Sequence, residues 1–450
     1  MDAYTRLYQF LRLFRPHKLL TFRYERELER NQWLDREEIQ QIAWKKLKKL
    51  LEHAYGKVPF YRQRFQEMGI TPQDIRTPDD FYRIPMLTKD DIRENADLLI
   101  AEGFSKDTMQ RAVTSGSTGV PFVVYHDHFF EAMNVAAFAL SRRWYGWEFG
   151  DKVAWIWSRR EDLPYTFKER LVYHLKRERW LDGFHLTSES MRLYAEILAR
   201  WKPNLIAGYS NVIYLLAQYL ESRHLSGIRP NFVETTAMPL WPRERALIER
   251  VFQCPVSDRY GSFESGSVVA SECPQGNRHV LIDCCYLEIL INGRPAPLGV
   301  EGEVVATPLY SVGMPLIRFR LGDIAIWDDR PCPCGRGLPL LRDIVGRITS
   351  IFTLPSGRLL YGGAFGHLIP KNTLAIRRFR VHQFSPDKIE VTLERGRNFD
   401  SSVVDVIRAR CLEILGDEPV VLTITITDDI PSTAAGKHLV VTSDVPARLN

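Results

Sequence analysis

Apolar positions recur with helical spacing in the N-terminal part of the chain. Between residues 36 and 70 an apolar side chain returns every three or four positions, which predicts a helix over this range. A proline-containing connector follows, from Pro72 to Pro85. The pattern therefore predicts a helical segment that ends at a run of turns.

Short apolar runs alternate with helical stretches from residue 112 to residue 310. The predicted strands cover 153–157, 205–208, 232–236 and 256–260. The predicted helices cover 129–143, 189–201, 211–223 and 242–252. Strands that alternate with helices are typical of a parallel sheet flanked by helices, so we expect an α/β fold.

The pattern changes after residue 279, where strands follow one another without long helices. Strands over 280–290, 302–307 and 324–327 predict a β-rich subdomain. After Gly346, a helix over 401–415 and strands near 348–354, 377–384, 388–394 and 420–426 predict a small α+β unit. We expect an N-terminal domain of residues 1–346 and a small mobile C-terminal lid domain of residues 347–450.

Composition narrows the class of protein. With 450 residues, 45% of them hydrophobic, the chain is long enough to bury a large core. Its 60 basic and 55 acidic residues leave a net charge of +5, so nothing requires a nucleic-acid partner. Seven cysteines, an odd number, favour a reducing compartment. No apolar run approaches the roughly twenty residues of a membrane span, so we expect a cytoplasmic protein and leave a homodimer open.

The first thirty residues combine apolar and basic positions. Leu7, Phe10, Leu11, Leu13 and Phe14 fall on one helical face, and basic residues surround it. Such a segment suits packing against its own domain or contact with an anionic membrane surface. Packing is the commoner outcome, and we expect it here.

A loop of hydroxyl-bearing residues and glycines is the most specific ligand-binding candidate. It consists of Thr114, Ser115, Gly116, Ser117, Thr118 and Gly119. The glycines permit positive φ, and such a bend turns backbone N–H groups toward an anion. A nucleotide polyphosphate is the natural ligand, and a polar surface turn is the alternative. The Lys-Ser or Lys-Thr pair of a P-loop is absent.

Four later features carry further groups that a bound nucleotide needs. The segment Tyr260-Gly261-Ser262-Phe263-Glu264 follows a predicted strand, where α/β sheets bind ligands. Its tyrosine ring offers a flat face for a base, and its glutamate offers an oxygen ligand for Mg²⁺. Asp323 suits ribose hydroxyls, Arg347 adds a cation at the domain boundary, and Lys437 lies on a loop of small residues.

The order of these features resembles the adenylate-forming enzymes, which include acyl-CoA synthetases and peptide-synthetase adenylation domains. Within them the chain is most similar to the phenylacetate–CoA ligase family, in its CapK-like branch of capsular polysaccharide biosynthesis. Four segments carry this resemblance in addition to the site residues. They cover residues 58–62, 84–89, 332–336 and 354–358.

The resemblance implies a nucleotide site and its ligands. The loop 114–119 would hold the β- and γ-phosphates of ATP, Tyr260 would lie against adenine with Gly261 next to it in the nucleotide site, and Asp323 would bind the ribose. Glu264 would hold Mg²⁺. These expectations make ATP and Mg²⁺ the cofactors.

The resemblance also implies a two-step reaction. A carboxylate attacks the α-phosphate of ATP, which gives an acyl-adenylate and pyrophosphate, and an acceptor then displaces AMP. Coenzyme A, or an amine or hydroxyl of a sugar, would be that acceptor. Arg347 would reach the nucleotide from the domain boundary, and Lys437 would neutralise charge between the two reacting anions.

Three departures from the family pattern touch this site. Phe263 stands where relatives carry a hydroxyl side chain, and Thr349 stands where they carry an aspartate. The segment 236–240 replaces a Gly-Glu pair near adenine. These departures raise a second hypothesis, a weakened nucleotide- and zinc-binding subunit of a polysaccharide assembly system.

Four residues in two clusters suit a structural zinc ion. They are Cys273, His279, Cys332 and Cys334. Three thiolates and an imidazole are a donor set that tetrahedral Zn²⁺ prefers, and similar positions in the phenylacetate–CoA ligase family support the interpretation. Buried free thiols are the alternative. At most one of the adjacent Cys284 and Cys285 is expected to join the site, because neighbours on a strand face opposite sides.

Four tryptophans suggest a pocket for the acyl group. They are Trp144, Trp147, Trp155 and Trp157. Aromatic walls suit apolar or aryl acids, and ordinary core packing explains the same residues equally well.

Overall fold

A computed structural model describes most of the chain. The described residues are 4–5, 19–114, 122–157, 167–183, 187–347, 351–361, 365, 368, 375–396, 399–431 and 440–445. For Arg347 the description covers the backbone alone.

The helices fall into an N-terminal group, a group between strands and one near the C-terminus. They are α1 (Leu19–Asn31), α2 (Arg36–Lys57), α3 (Pro59–Glu67), α4 (Pro78–Phe81), α5 (Lys89–Glu94), α6 (His128–Arg143), α7 (Phe167–Lys176), α8 (Ser188–Trp201), α9 (Ser210–Ser222), α10 (Pro242–Phe252) and α11 (Ser402–Leu415).

The single helix predicted over residues 36–70 is two helices, α2 and α3. The helical conformation is interrupted between them at Val58, which has extended backbone angles. Pro59 follows and occupies the first turn of α3. Because proline has no N–H to bond the preceding turn, the periodic apolar pattern crosses a helix boundary that the backbone cannot continue through.

The strands extend from residue 110 to residue 443. They are β1 (Gln110–Thr114), β2 (Phe122–His126), β3 (Val153–Trp157), β4 (Glu178–Asp182), β5 (Leu205–Tyr209), β6 (Phe232–Thr236), β7 (Val256–Ser262), β8 (Gly266–Glu272), β9 (Arg278–Val280), β10 (Cys285–Ile291), β11 (Arg294–Pro295), β12 (Glu301–Pro308), β13 (Phe319–Asp328), β14 (Leu340–Arg347), β15 (Ile351–Thr353), β16 (Leu359–Tyr361), β17 (Ile376–Ser385), β18 (Lys388–Arg395), β19 (Val421–Thr427) and β20 (Val441–Ser443). The strand predicted over 280–290 is wrong in its first part, because a turn in which Cys284 N bonds to Leu281 O separates β9 from β10.

A twelve-stranded sheet organises most of the molecule. Its order is β11-β10-β12-β13-β14-β9-β8-β7-β6-β5-β3-β4. The strands β4, β3, β5, β6 and β7 pair in parallel, and the remainder pair antiparallel. Helices α7 to α10 connect the parallel strands in sequence. The predicted α/β class, with a parallel sheet followed by a β-rich part, is confirmed.

Three main hydrophobic cores follow this division. One unites α2 and α3 with the antiparallel strands, and a second lies between the parallel strands and α8 to α10. The third joins α11 to the sheet β19-β18-β17-β20. The C-terminal residues therefore have a core of their own, as an independent small unit requires.

None of the helices in the described part of the chain combines the length and the hydropathy needed to cross a bilayer.

Candidate active site and metal centre

The carboxyl ends of the parallel strands bring Tyr260, a predicted site residue, to one edge of the sheet together with two further polar side chains. Tyr209 ends β5, Thr236 ends β6, and Tyr260 lies near the end of β7. In open α/β sheets this edge is where ligands bind, because helix N-termini and loops surround it.

Tyr260 and Asp323 are in direct contact. The Tyr260 hydroxyl donates to Asp323 Oδ2 at 2.7 Å, and Asp323 is 8% exposed. In the pairing of β13 with β14, Asp323 lies opposite Arg347. The structure thus brings together three residues that the sequence places far apart, although the position of the Arg347 side chain is outside the description.

The turn after Tyr260 depends on a glycine. A Cβ added to Gly261 would lie 2.4 Å from the carbonyl oxygen of Ser267, so only glycine fits. Ser267 is fixed from the other side by Asn134, whose Oδ1 accepts from Ser267 N at 2.9 Å. Gly261 therefore lets two strands approach closely beneath the candidate nucleotide site.

Glu264 is a buried carboxylate in this turn. It is 8% exposed. A carboxylate oxygen at this position is a ligand that suits Mg²⁺. Phe263 beside it is 58% exposed, and the Ser262 and Ser265 hydroxyls lie 2.7 Å apart.

The phosphate-binding loop predicted at 114–119 connects the strands of a hairpin. Thr114 is the last residue of β1 and pairs with Phe122 of β2. Residues 115–119 lie outside the described residues, and so do Lys437 and Thr349. The predictions for those residues remain predictions.

Asp127 anchors the base of this hairpin, and the sequence analysis missed it. Its carboxylate accepts from Phe129 N and Phe130 N at the start of α6, and from Val312 N and Gly313 N of a distant loop. An Asp immediately before an apolar helix is an N-cap signal. Its second pair of bonds joins residues 185 and 186 positions apart, which spacing does not reveal.

Ala237, after β6, has a φ of 68°, in the left-handed region. A residue with a Cβ pays roughly 1–2 kcal/mol there. The Ser210 hydroxyl donates to Met238 O at 2.9 Å and holds the loop in place. The departure at 236–240 therefore keeps a backbone shape that suits glycine.

Arg318 is the second unpredicted anchor. It is fully buried, and its guanidinium donates to Glu288 and to the carbonyl oxygens of Tyr82 and Ile84. Its own carbonyl oxygen accepts from Leu87 N at 2.8 Å. The segment 84–89 is thereby docked on the strand that carries Asp323.

A buried ion-pair network supports the sheet behind the site. Arg142 donates to both Glu234 oxygens, at 3.0 and 2.8 Å, and Arg259 lies 3.4 Å from Glu234. Burial by itself raises the pKa of Glu234, but the two guanidinium groups lower it overall. The network joins α6 to β6 and β7, so it aligns strands that end at the site.

The four tryptophans proposed for an acyl pocket do not share one. Trp144 donates to Gln32 Oε1, Trp147 packs on Phe149, and Trp155 stacks on Trp180. Only Trp157 lies at the carboxyl edge, where its ring stacks on Tyr209 at 4.2 Å. Core packing explains the others, because a strand or loop tryptophan buries its ring against whichever element is nearest.

The predicted metal ligands converge. One ligand atom from each of Cys273, His279, Cys332 and Cys334 lies within 4.8 Å of the others. The Cys273 and Cys332 sulfurs are 3.7 Å apart, and Cys334 Sγ is 3.3 Å from His279 Nε2. Tetrahedral zinc with Zn–S bonds of about 2.3 Å separates two sulfurs by roughly 3.8 Å, so the donor set fits the ion.

The electrostatics of the cluster also suit a metal. Burial lowers the pKa of His279 to about 4, so the imidazole is neutral and available as a ligand near pH 7. Burial alone would raise the pKa of Cys334, but hydrogen bonds from Arg336 and Cys332 lower it overall. Neither Cys284 nor Cys285 belongs to the cluster, and the Cys284 sulfur contacts Met133 instead.

The cluster is fixed to the N-terminal helices. The Arg336 guanidinium lies between the rings of Trp33 and Trp144, 4.8 Å from each, and donates to Gln32 Oε1. A Cβ at Gly337 would meet Leu34 O, so the chain packs there without a side chain.

The known proteins that are similar to this chain in sequence include phenylacetate-coenzyme A ligases and a CapK protein. The chain is 28% identical to phenylacetate-coenzyme A ligase of Pseudomonas putida over 397 residues, 84% of this chain and 83% of that enzyme. It is 25% identical to protein CapK of Staphylococcus aureus over 269 residues, 59% of this chain and 58% of CapK. The match therefore spans less than two thirds of CapK. No protein-family model matches the chain.

Solved structures show the same fold. A 2-hydroxyisobutyryl-CoA ligase in the postadenylation state has a TM-score of 0.76 at 19% identity, with 92% of each chain covered. An anthranilate CoA ligase in complex with anthranoyl-AMP has a TM-score of 0.56 at 17% identity, over 75% of this chain and 67% of that one. At this level of identity the likeness concerns the fold.

Proposed function

We propose, from the membership of this chain in the phenylacetate–coenzyme A ligase family and its CapK-like branch, that it is an ATP-dependent, AMP-forming carboxylate ligase. One observation carries the proposal at the site itself. The largely buried carboxylate of Glu264 lies four positions after Tyr260, whose hydroxyl bonds Asp323. A magnesium nucleotide would supply a cation for the carboxylate together with a base and a ribose for the other two residues.

The first step of the proposed reaction brings a carboxylate anion to the anionic α-phosphate of ATP. A carboxylate oxygen bonds the α-phosphorus of ATP, and the bond to the β-phosphate oxygen breaks with release of pyrophosphate. Two anions approach one another in this step, so cations at the site stabilise the transition state. We assign Glu264 to Mg²⁺, Arg347 to the nucleotide and Lys437 to the reacting oxygens.

Transfer of the acyl group completes the reaction. A thiolate attacks the acyl carbon and AMP leaves with the electron pair of the carbon–oxygen bond. We propose coenzyme A as the acceptor, since the names of the relatives specify coenzyme A ligases. A lid domain of residues 347–450 that turns about the boundary after Gly346, where φ is 140°, would carry Lys437 away between the steps.

The acid is proposed to carry an apolar or aryl group. Trp157 and Tyr209 stack nearly parallel, 19° apart, at the carboxyl edge of the sheet. A flat aromatic surface favours another flat or apolar group. Phe263, which is exposed and next to Glu264 in the chain, adds a further apolar surface in the same turn.

The Cys/His cluster is proposed to hold a structural zinc ion. All four positions of a tetrahedral ion are filled by protein, which leaves none for a substrate. The ion would tie the turn after Cys273 to the loop before β14, and β14 carries Arg347. Its role is thus stability of the strand that leads to the domain boundary.

Carboxylate-dependent exchange of pyrophosphate into ATP tests the ligase activity. A panel of aryl, fatty and amino acids is expected to give exchange with at least one class. Lys437→Ala and Glu264→Gln should each lower the exchange rate by roughly a hundredfold or more, because each removes charge stabilisation of the transition state. Lys388→Ala and Glu249→Gln, which alter an exposed and a partly exposed residue elsewhere, serve as matched controls. Binding of ATP without exchange over the whole panel would contradict the proposal.

A further inference from the structure

A groove lies beside the outermost strand of the twelve-stranded sheet. Strand β4 ends the strand order, and among the described strands it pairs with β3. The space between β4 and the outer side of α8 has a volume of about 340 Å³, within the usual range of small-molecule sites. It is lined by Arg179, Leu193, Glu196, Ile197, Arg200 and Trp201, and we call it the α8 groove.

The wall that α8 contributes to this groove is apolar along its length. Leu193, Ile197 and Trp201 are four residues apart, so they follow one another along one side of the helix. Leu193 is 48% exposed, whereas Leu198 on the inward side of the helix is fully buried. From Leu193 to Trp201 the helix rises about 12 Å, which suits an extended apolar chain of roughly ten carbons.

Two guanidinium groups lie at the Trp201 end of this wall. The Arg179 guanidinium is 5.0 Å from the centre of the Trp201 ring, and Arg200 precedes Trp201 in the chain. Both arginines are exposed, and neither forms an ion pair with a carboxylate among the described residues. Glu196, the acidic residue of the lining, pairs instead with Arg192 at 2.7 Å. The α8 groove therefore combines an apolar wall with two cations whose charge no described carboxylate balances.

We propose that the α8 groove binds an amphipathic carboxylate, a monoanion with an apolar chain or ring. Arg179 and Arg200 pair with the carboxylate oxygens, because a planar guanidinium matches that group, and the apolar part lies against the α8 wall. A cationic ligand or the α8 groove of a second copy would meet two uncompensated positive charges, which disfavours both. Arg179 is near the amino end of β4, whereas the candidate active site lies at the carboxyl edge of the sheet. The inference therefore does not depend on the ligase activity, and each is testable without the other.

Photo-crosslinking of the full-length protein tests the proposal and locates the ligand. The probe is decanoic acid with a diazirine on its chain, and mass spectrometry of the digested protein identifies the labelled residues. Labels are expected on α8 between Leu193 and Trp201, and an excess of decanoate should suppress them. Decanol, which lacks the charge, should compete about tenfold less well, because its hydroxyl cannot replace a charge-assisted pair with guanidinium. Octanoate should compete several-fold less well than decanoate, since a buried methylene contributes up to about fourfold in affinity.

Matched variants separate this groove from any other site that binds the acid. Arg200→Gln combined with Leu193→Ser changes two exposed residues and should lower the labelling of α8 about tenfold, while labels elsewhere stay unchanged. Arg223→Gln combined with Leu225→Ser makes the same changes at exposed positions just after α9, and α8 should then be labelled as in the wild type. The proposal is overturned if the probe labels no residue of α8, or if the Arg200/Leu193 variant is labelled there undiminished. It is also overturned if decanol competes as well as decanoate does.

Discussion

Glu244 is a buried carboxylate whose ionisation should cost stability. It lies in the first turn of α10 and accepts a hydrogen bond from Trp241 N at 3.2 Å. Burial raises its pKa to about 7 from an ordinary value of 4.5, although Arg243 and the Trp241 N–H lower it somewhat. The perturbation is Glu244→Gln, which keeps an acceptor oxygen for the helix start and removes the charge.

Because protonation and folding are linked, the raised pKa of Glu244 determines how its contribution to stability changes with pH. The pKa in the folded protein is above the ordinary value, so the neutral carboxyl stabilises the fold fully below about pH 4.5, and this stability is lost as the pH rises through about 7. At roughly 1.4 kcal/mol per pKa unit, the cost is about 1 kcal/mol near pH 5 and about 3 kcal/mol near pH 8. Glu244→Gln should therefore gain about 2 kcal/mol relative to the wild type between these two conditions.

Urea unfolding of both proteins near pH 5 and near pH 8 measures this difference. Glu249→Gln changes a partly exposed carboxylate of the same helix, 3.8 Å from the Arg245 guanidinium, and controls for the loss of a charge there. If the free energy of unfolding of Glu244→Gln follows that of the wild type within about 0.5 kcal/mol at both conditions, or if Glu249→Gln shows the same gain, the reasoning about burial is refuted.

Three further predictions concern the metal, the loop after β6 and the turn of Glu264. Native protein should contain about one zinc ion per chain by elemental analysis, Cys334→Ser should keep less than about a tenth of it, and Cys254→Ser should keep all of it. Ala237→Gly should raise the free energy of unfolding by about 0.5–1 kcal/mol, since it removes a Cβ from a left-handed residue; a loss of stability would contradict the strain argument. Phe263→Thr should lower the rate of ATP–pyrophosphate exchange with an apolar or aryl acid roughly tenfold by removing an apolar surface beside the site, whereas Phe384→Thr, at another exposed phenylalanine, should not; a rise in rate with Phe263→Thr would instead assign position 263 to phosphate binding.

Local sequence patterns predicted many of the helices and strands correctly. The two boundaries that they misplaced lie at a proline and at a turn. The parallel strands β3, β5, β6 and β7 and the helices α8 to α10 agree with their predicted ranges to within about two residues, because short buried strands and amphipathic helices have different periods, whereas β4 and α7 were not predicted. The pattern continued through Pro59 and through the turn at Leu281, since apolar residues are buried there on both sides of the break. Periodicity reports burial and does not report whether the backbone is continuous.

The residues of the candidate metal site could be predicted from the sequence more completely than the residues that support the candidate nucleotide site. Thiolate and imidazole side chains have few other uses in combination, so the four candidate metal ligands could be predicted from the sequence, and the structure brings them together. The contacts of Asp127 with Gly313 and of Arg318 with Ile84 connect residues that are 186 and 234 positions apart. Carboxylates and arginines are common, and only the folded chain determines which of them meet.

The departures from the family pattern alter what faces a ligand and leave the supporting backbone in place. Ala237 retains a left-handed conformation at a cost of roughly 1–2 kcal/mol, and Ser210 holds the adjoining carbonyl. Phe263 projects from a turn that Gly261 and the Ser262–Ser265 pair maintain. A chain that had merely lost its activity would have no reason to keep a strained loop at Ala237 and a largely buried carboxylate at Glu264. The substitutions are therefore better understood as changes in the acid that the site accepts, and the exchange panel should reveal a preference different from that of a hydroxyl-bearing relative.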